Sequence, residues 1–132
     1  MNFQYTIHSG DKPIIKIRES ELKSLEDLLN TLCIYPHIES VIDEFKVIYE
    51  NSSDLNDLIE DKYNGYWEDD LLGKSFTVLG YDNGLDVFVN ENMIYIEDEY
   101  QYPEIPRVKL SMSEFIQTLE DWRDILKSYS KS

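Results

Sequence analysis

The spacing of apolar residues changes twice along this chain, and each change limits what the backbone can form. From Leu22 to about Lys62 they recur every three or four positions, as one face of a helix requires. From Phe76 to Ile96 the period becomes two, as half-buried strands require, and after Ser111 the helical spacing returns. A chain that alternates blockwise in this way predicts an α+β fold: an antiparallel β-meander packed with amphipathic helices and ending in a C-terminal helix.

The individual segments follow from the same reading. Phe3–Ile7 alternates, and Ile14–Ile17 follows the turn-prone Ser9-Gly10-Asp11-Lys12-Pro13, predicting a hairpin or strand pair. A helix from Ser20 buries Leu22, Leu25, Leu28, Leu29 and Leu32 and stops before Pro36. A second runs through Ile38, Val41, Ile42, Phe45 and Ile48 or Tyr49, although the β-branched Val47 and Ile48 also suit a strand. A third covers Leu55 to Lys62, with Ser53 as its N-cap and Asn64-Gly65 as its stop. Tyr66 to Asp70 reads as a loop. The meander strands Phe76–Leu79, Leu85–Val89 and Met93–Ile96 are separated by Asp82-Asn83-Gly84 and Asn90-Glu91-Asn92, whose residues tolerate positive φ. Val108–Leu110 leads into a helix from Ser111 to about Lys127. Ser111 with Glu114 fits a capping box and Leu110 with Phe115 a hydrophobic staple; Met112, Phe115, Ile116, Leu119, Trp122 and Leu126 form the buried stripe.

The 132 residues fit one domain, 1–132, and a hydrophobic fraction of 42% is too high for disorder despite a net charge of −15. No stretch approaches the roughly 18 to 20 apolar residues of a membrane span. Met1-Asn2-Phe3-Gln4 lacks the basic-then-apolar layout of a secretion signal, and the single Cys33 allows no internal disulfide, so the expected location is cytoplasmic. Most of the charge is regional. Residues 50–104 hold fifteen acids against Lys62 and Lys74, a net of −13, while 1–49 carry −3 and 105–132 carry +1. Such a field repels nucleic acid and anionic membranes and attracts cationic surfaces.

The motifs of common chemistries are missing. His8 and His37 lie in no metal-ligand spacing, and Cys33 has no activating base in view and suits apolar packing. No phosphate-binding glycine loop or nucleophile elbow occurs, so no catalytic residue, cofactor or metal is expected. Paired carboxylates remain the one catalytic option, as a small hydrolase, but among twenty-seven acids some pair always exists. Glu68-Asp69-Asp70 and Glu97-Asp98-Glu99 lack the alternating spacing of a calcium loop.

What stands out is the mixing of these acids with large aromatics. Tyr66 and Trp67 precede Glu68, Asp69 and Asp70; Glu97, Asp98 and Glu99 lead into Tyr100 and Tyr102. Tyr and Trp concentrate at binding hot spots, and neighbouring carboxylates pair with Lys or Arg of a partner. With Asp82, these residues are the candidate partner-binding set. The alternative is a set of core aromatics beside solvated acids.

The segment from Ile105 to Leu126, IPRVKLSMSEFIQTLEDWRDIL, resembles the closing strand and helix of several bacterial immunity proteins, the small acidic partners of polymorphic or contact-dependent toxins. The resemblance implies a cytosolic inhibitor, not an enzyme, that binds the toxic domain of a larger secreted protein, often a nuclease. Those families share no fixed motif, so no residue role is carried over. The charge reading agrees, because carboxylates set among aromatics can occupy a basic surface in place of phosphates. The alternative is an acidic nucleic-acid mimic that blocks a host DNA-binding protein.

Overall fold

The structure, a computed structural model, describes residues 1–130. The chain opens with an antiparallel hairpin, β1 (Tyr5–Ser9) and β2 (Pro13–Ile17). A single 3-10 turn, Ser20–Leu22, feeds α1 (Lys23–Thr31), α2 (Tyr35–Glu50) and α3 (Asn56–Lys62). Five strands follow: β3 (Trp67–Asp69), β4 (Gly73–Gly80), β5 (Leu85–Asn90), β6 (Met93–Asp98) and β7 (Val108–Ser111). They lie side by side in chain order, all antiparallel, and α4 (Met112–Ser130) closes the fold. The expected α+β meander with a C-terminal helix is therefore the observed one.

Local chemistry explains most boundaries. Pro36 sits in the first turn of α2, where a missing amide costs nothing. Asn64 and Gly65 turn left-handed and end α3, with the amides of Tyr63 and Gly65 both donating to the Ile59 carbonyl. Glu91 and Asn92 both have positive φ, the tight two-residue turn that joins β5 to β6. At α4 the capping box is complete: the Glu114 amide donates to Ser111 Oγ at 3.1 Å and the Ser111 amide to Glu114 Oε1 at 3.2 Å.

Two expectations are corrected, for Ser53 and for Trp67–Asp69, and between the two readings of Val47 and Ile48 the helix holds. Ser53 caps nothing, because α3 starts at Asn56 behind Leu55 and Ser53 lies in the preceding turn. Val47 and Ile48 are helical, since Ile48 completes the buried stripe of α2. Trp67–Asp69 is not loop but the edge strand β3, paired with Gly73–Ser75.

The core forms where α1, α2 and α4 meet one face of the sheet. Leu25, Leu28 and Leu29 from α1, Leu32 just after it, Phe45 from α2, and Phe115, Leu119 and Trp122 from α4 are wholly buried, against Val87, Val89, Ile94 and Ile96 of the sheet. Phe45 and Phe115 meet edge to face at 4.8 Å, and the Trp122 indole donates to the Leu32 carbonyl at 2.9 Å, tying α4 to the end of α1. Helix α1 also closes the outer edge of β2. Asn30 exchanges two hydrogen bonds with the Ile15 backbone (2.9 and 3.0 Å) and Glu26 accepts the Ile17 amide at 2.7 Å. Burial pushes the Glu26 carboxyl up, but the Lys23 ammonium and the Ile17 amide outweigh it, and the net direction is down.

Among the described residues one buried side-chain polar group is unpaired. Ser24 Oγ, wholly buried in the first turn of α1, has no hydrogen-bond partner. Ser24→Ala removes that desolvated hydroxyl and also improves helix propensity, so a gain of about 1 kcal/mol is expected in urea unfolding. A loss of stability would mean that the hydroxyl is satisfied in solution.

Candidate functional site

Strand alternation gives the sheet a second, outer face. On it Phe88 and Tyr95, directly opposite in the β5–β6 register, stack with ring centres 5.4 Å apart and planes 11° apart. Phe88 is 1% exposed although no helix covers this face. What covers it is the β3 edge, folded back across the sheet. Trp67 lies edge-on to Phe88 at 5.1 Å and donates its indole N–H to Thr77 Oγ1 at 2.9 Å. The Asn90 side-chain amide holds the base of this flap, donating to the carbonyls of Leu72 and Lys74 at 3.0 and 2.9 Å.

Arg107, just before β7, locks the arrangement. In a flat sheet β3 and β7 would be four strand spacings apart, about 19 Å. Arg107 nevertheless binds Asp69 of β3 through both Nη atoms, at 2.6 and 3.0 Å, and donates Nε–H to Glu97 of β6 at 2.9 Å. Its guanidinium lies 5.2 Å from the Phe88 ring centre and 4.6 Å from that of Tyr102. Hydrogen bonding to Arg107 outweighs burial and, with the Leu71 and Leu72 amides, holds the Asp69 carboxyl down at about 2. The guanidinium is held more firmly protonated in turn.

The two acidic-aromatic segments, far apart in sequence, thus meet at one guanidinium, but their acids divide into two groups. Asp69 and Glu97 are held by Arg107. Asp98, also buried, forms a turn by accepting the Tyr100 amide at 3.0 Å and the Gln101 side chain at 2.6 Å. Glu68, Asp70, Asp82 and Glu99 are exposed and, among the described residues, have no hydrogen-bond or ion-pair partner. Glu68 alternates with Trp67 and Asp69 along β3, so it faces solvent while they face the sheet. The Glu99 amide donates to the Gly84 carbonyl, which joins the β4–β5 turn that carries Asp82 to the end of β6.

The aromatics divide as well. Trp67 is 37% exposed and Tyr100 73%. The Tyr100 ring lies over Gly84 so closely that a Cβ there would approach it to 2.4 Å, and Gly84 also needs its φ of +91°. Tyr102 is half-buried on Arg107. Tyr66 does not join the group: it packs edge-on to Phe76 at 6.0 Å and donates to Asn56 at 3.2 Å, on the α3 side.

Two residues of this surface escaped the sequence reading. Leu71, at the flap tip beside Asp70, is 78% exposed. Arg107 is the first base after Lys74, and that isolation within an acidic stretch is the signal that could have found it.

Next to the clasp, like charges are left facing one another. Asp86 pairs across the strands with Glu97, and burial together with Glu99 and Glu97 pushes its carboxyl up. A raised carboxyl penalises the native state above its folded pKa, and the penalty fades as pH falls towards the ordinary value of 3.8. Asp86→Asn is therefore expected to add about 0.2–1 kcal/mol at pH 7 and nothing near pH 3.5. Urea midpoints at the two pH values test this, and an equal gain at both would refute it.

Among the described residues no group of three or more His, Cys, Asp or Glu side chains is placed to hold a metal ion, and no helix is long and apolar enough to cross a membrane. His37 meets the Tyr81 hydroxyl at 3.3 Å, and Cys33, half-buried, lies 3.7 Å from Lys12 Nζ. A cleft of about 600 Å³ runs between β2, the 3-10 turn and Glu104–Pro106, and Lys23 in its wall is already paired with Glu26 and Asp27. In comparisons with known proteins, no family model, curated protein or solved structure matches the chain.

Proposed function

We propose that this protein is a cytoplasmic inhibitor of the immunity type, which binds a cationic toxin domain, of nuclease kind, and covers its substrate groove. The observation that carries this reading is the division of the acids. Asp69, Glu97 and Asp98 are used internally, while Glu68, Asp70 and Glu99, next in sequence to the exposed Trp67, Leu71 and Tyr100, and Asp82 in the β4–β5 turn have no partner among the described residues. Exposed carboxylates beside exposed apolar and aromatic side chains match the charged rim and aromatic anchors of a binding site. The protein acts by occlusion: carboxylates take the positions of substrate phosphates while the aromatics seal the contact.

The test is bacterial growth during expression of the C-terminal domain encoded by the neighbouring upstream gene, with and without this protein. Rescue, together with a direct complex that weakens steeply with salt, is the expected result. A toxic domain whose effect this protein leaves unchanged would overturn the pairing, and capture of a host DNA-binding protein instead would favour the nucleic-acid mimic.

A further inference from the structure

Each β-sheet in this protein has two edges, and three of the four are guarded. The edge strand β3 has three residues and carries Glu68 and Asp69; β7 has four and carries Lys109. The outer edge of β2 is closed by Asn30 and Glu26. Short length, charge and side-chain cover are the usual defences of an edge against pairing with another chain.

The outer edge of β1 has none of them. The Ile15 and Ile17 backbones face α1, so Ile14, Lys16 and Arg18 are the β2 residues whose backbones face β1, as the Arg18 amide on the Gln4 carbonyl confirms. In the observed register Thr6 and His8 then bond to β2, and the N–H and C=O groups of Tyr5 and Ile7 point away from it. Among the described residues they have no backbone hydrogen-bond partner elsewhere. From Phe3 to Gly10 the chain carries no Asp, Glu, Lys or Arg, in a protein with 30% charged residues.

We propose that β1 pairs antiparallel with β1 of a second copy about a two-fold axis through Ile7, joining two hairpins into one four-stranded sheet. An antiparallel two-fold is the arrangement in which one edge is complementary to itself, with Ile7 opposite Ile7 and each exchanging both backbone bonds. Charge opposes a contact least at this place. Residues 1–18 carry Lys12, Lys16 and Arg18 against Asp11, a net of +2, and Glu19 and Glu21 beside the hairpin bring residues 1–21 to a net of zero, whereas residues 50–104 of the two copies repel one another. Helix α1 packs on β2 on one side and on β5 and β6 on the other, so the pairing leaves the acidic face of each copy free. A five-residue strand gives a contact below the roughly 1,200 Å² of a standard interface, so the dimer is a weak one. The proposal does not depend on the inhibitor reading.

Sedimentation of the intact protein from about 1 to 500 µM in 0.5 M salt spans the range for such a weak contact while screening net charge. Amide exchange at Tyr5 and Ile7 is measured alongside. The expected result is a monomer–dimer equilibrium in which these two amides slow by roughly tenfold or more as concentration rises. Ile7→Pro deletes an outward-facing N–H and should stay monomeric with an unchanged circular dichroism spectrum. If proline disturbs the hairpin, Ile7→Lys sets like charges opposite each other at the axis and should weaken the dimer without altering the fold. A monomer throughout the range, or a dimer in which the Tyr5 and Ile7 amides stay unprotected, overturns the proposal.

Discussion

Replacing Arg107 by alanine is expected to cost about 3–5 kcal/mol, because Asp69 would stay buried with its charge uncompensated. That corresponds to a fall in Tm of roughly 10–20 °C for a domain of this size. The loss should be localised before it becomes global. Without the clasp the β3 flap keeps its pairing with β4, the Trp67 contacts with Phe88 and Thr77 and the Asn90 bonds but loses its tie across the sheet, so acrylamide should quench Trp67 more readily while Trp122, wholly buried in the helical core, stays protected. Arg107→Lys should recover only part of the stability, since an ammonium can neither span Asp69 and Glu97 in a planar fork nor lie flat between Tyr102 and Phe88.

The pH dependence of that difference has a fixed sign. The Asp69 carboxyl is depressed in the folded protein from its ordinary 3.8 to about 2, so its pairing contributes fully above 3.8 and is lost as pH falls through 2. Wild type and Arg107→Ala should therefore converge between about pH 4 and pH 2. An alanine variant within 1 kcal/mol of wild type at neutral pH would show that the flap is held by packing alone.

Arg107 also shows where the sequence stops being informative. Helical stripes, the α4 capping box and the Glu91-Asn92 turn follow from local rules, because each depends on residues a few positions apart. The fold-back of β3 does not. It rests on Asp69 meeting Arg107, thirty-eight residues on, and no period or turn signal encodes that distance. The same gap explains the mixed outcome for the candidate site. Composition marked Glu68 to Asp70 and Glu97 to Glu99 as equivalent acids. Only the tertiary arrangement separates carboxylates that hold the scaffold from those left free, and it removes Tyr66 to the other side of the sheet.

That separation determines which substitutions report on binding. Neutralising Glu68, Asp70, Asp82 and Glu99 together, as Gln or Asn, should leave stability within about 0.5 kcal/mol per site, because none has an internal partner to lose. Under the inhibitor reading the same variant should associate with its basic partner more slowly by a factor of about 10–1,000 at low salt, because the steering field is reduced while the aromatic anchors remain. The deficit should shrink as salt screens the wild type towards the neutralised protein, and dissociation should change less than association. Substituting Asp69, Glu97 and Asp98 instead should reverse the pattern, with a large loss of stability. Stopped-flow association at two ionic strengths separates the two sets. Equal slowing by both would mean that the acids act only through total charge, and the assignment of the rim residues would fall.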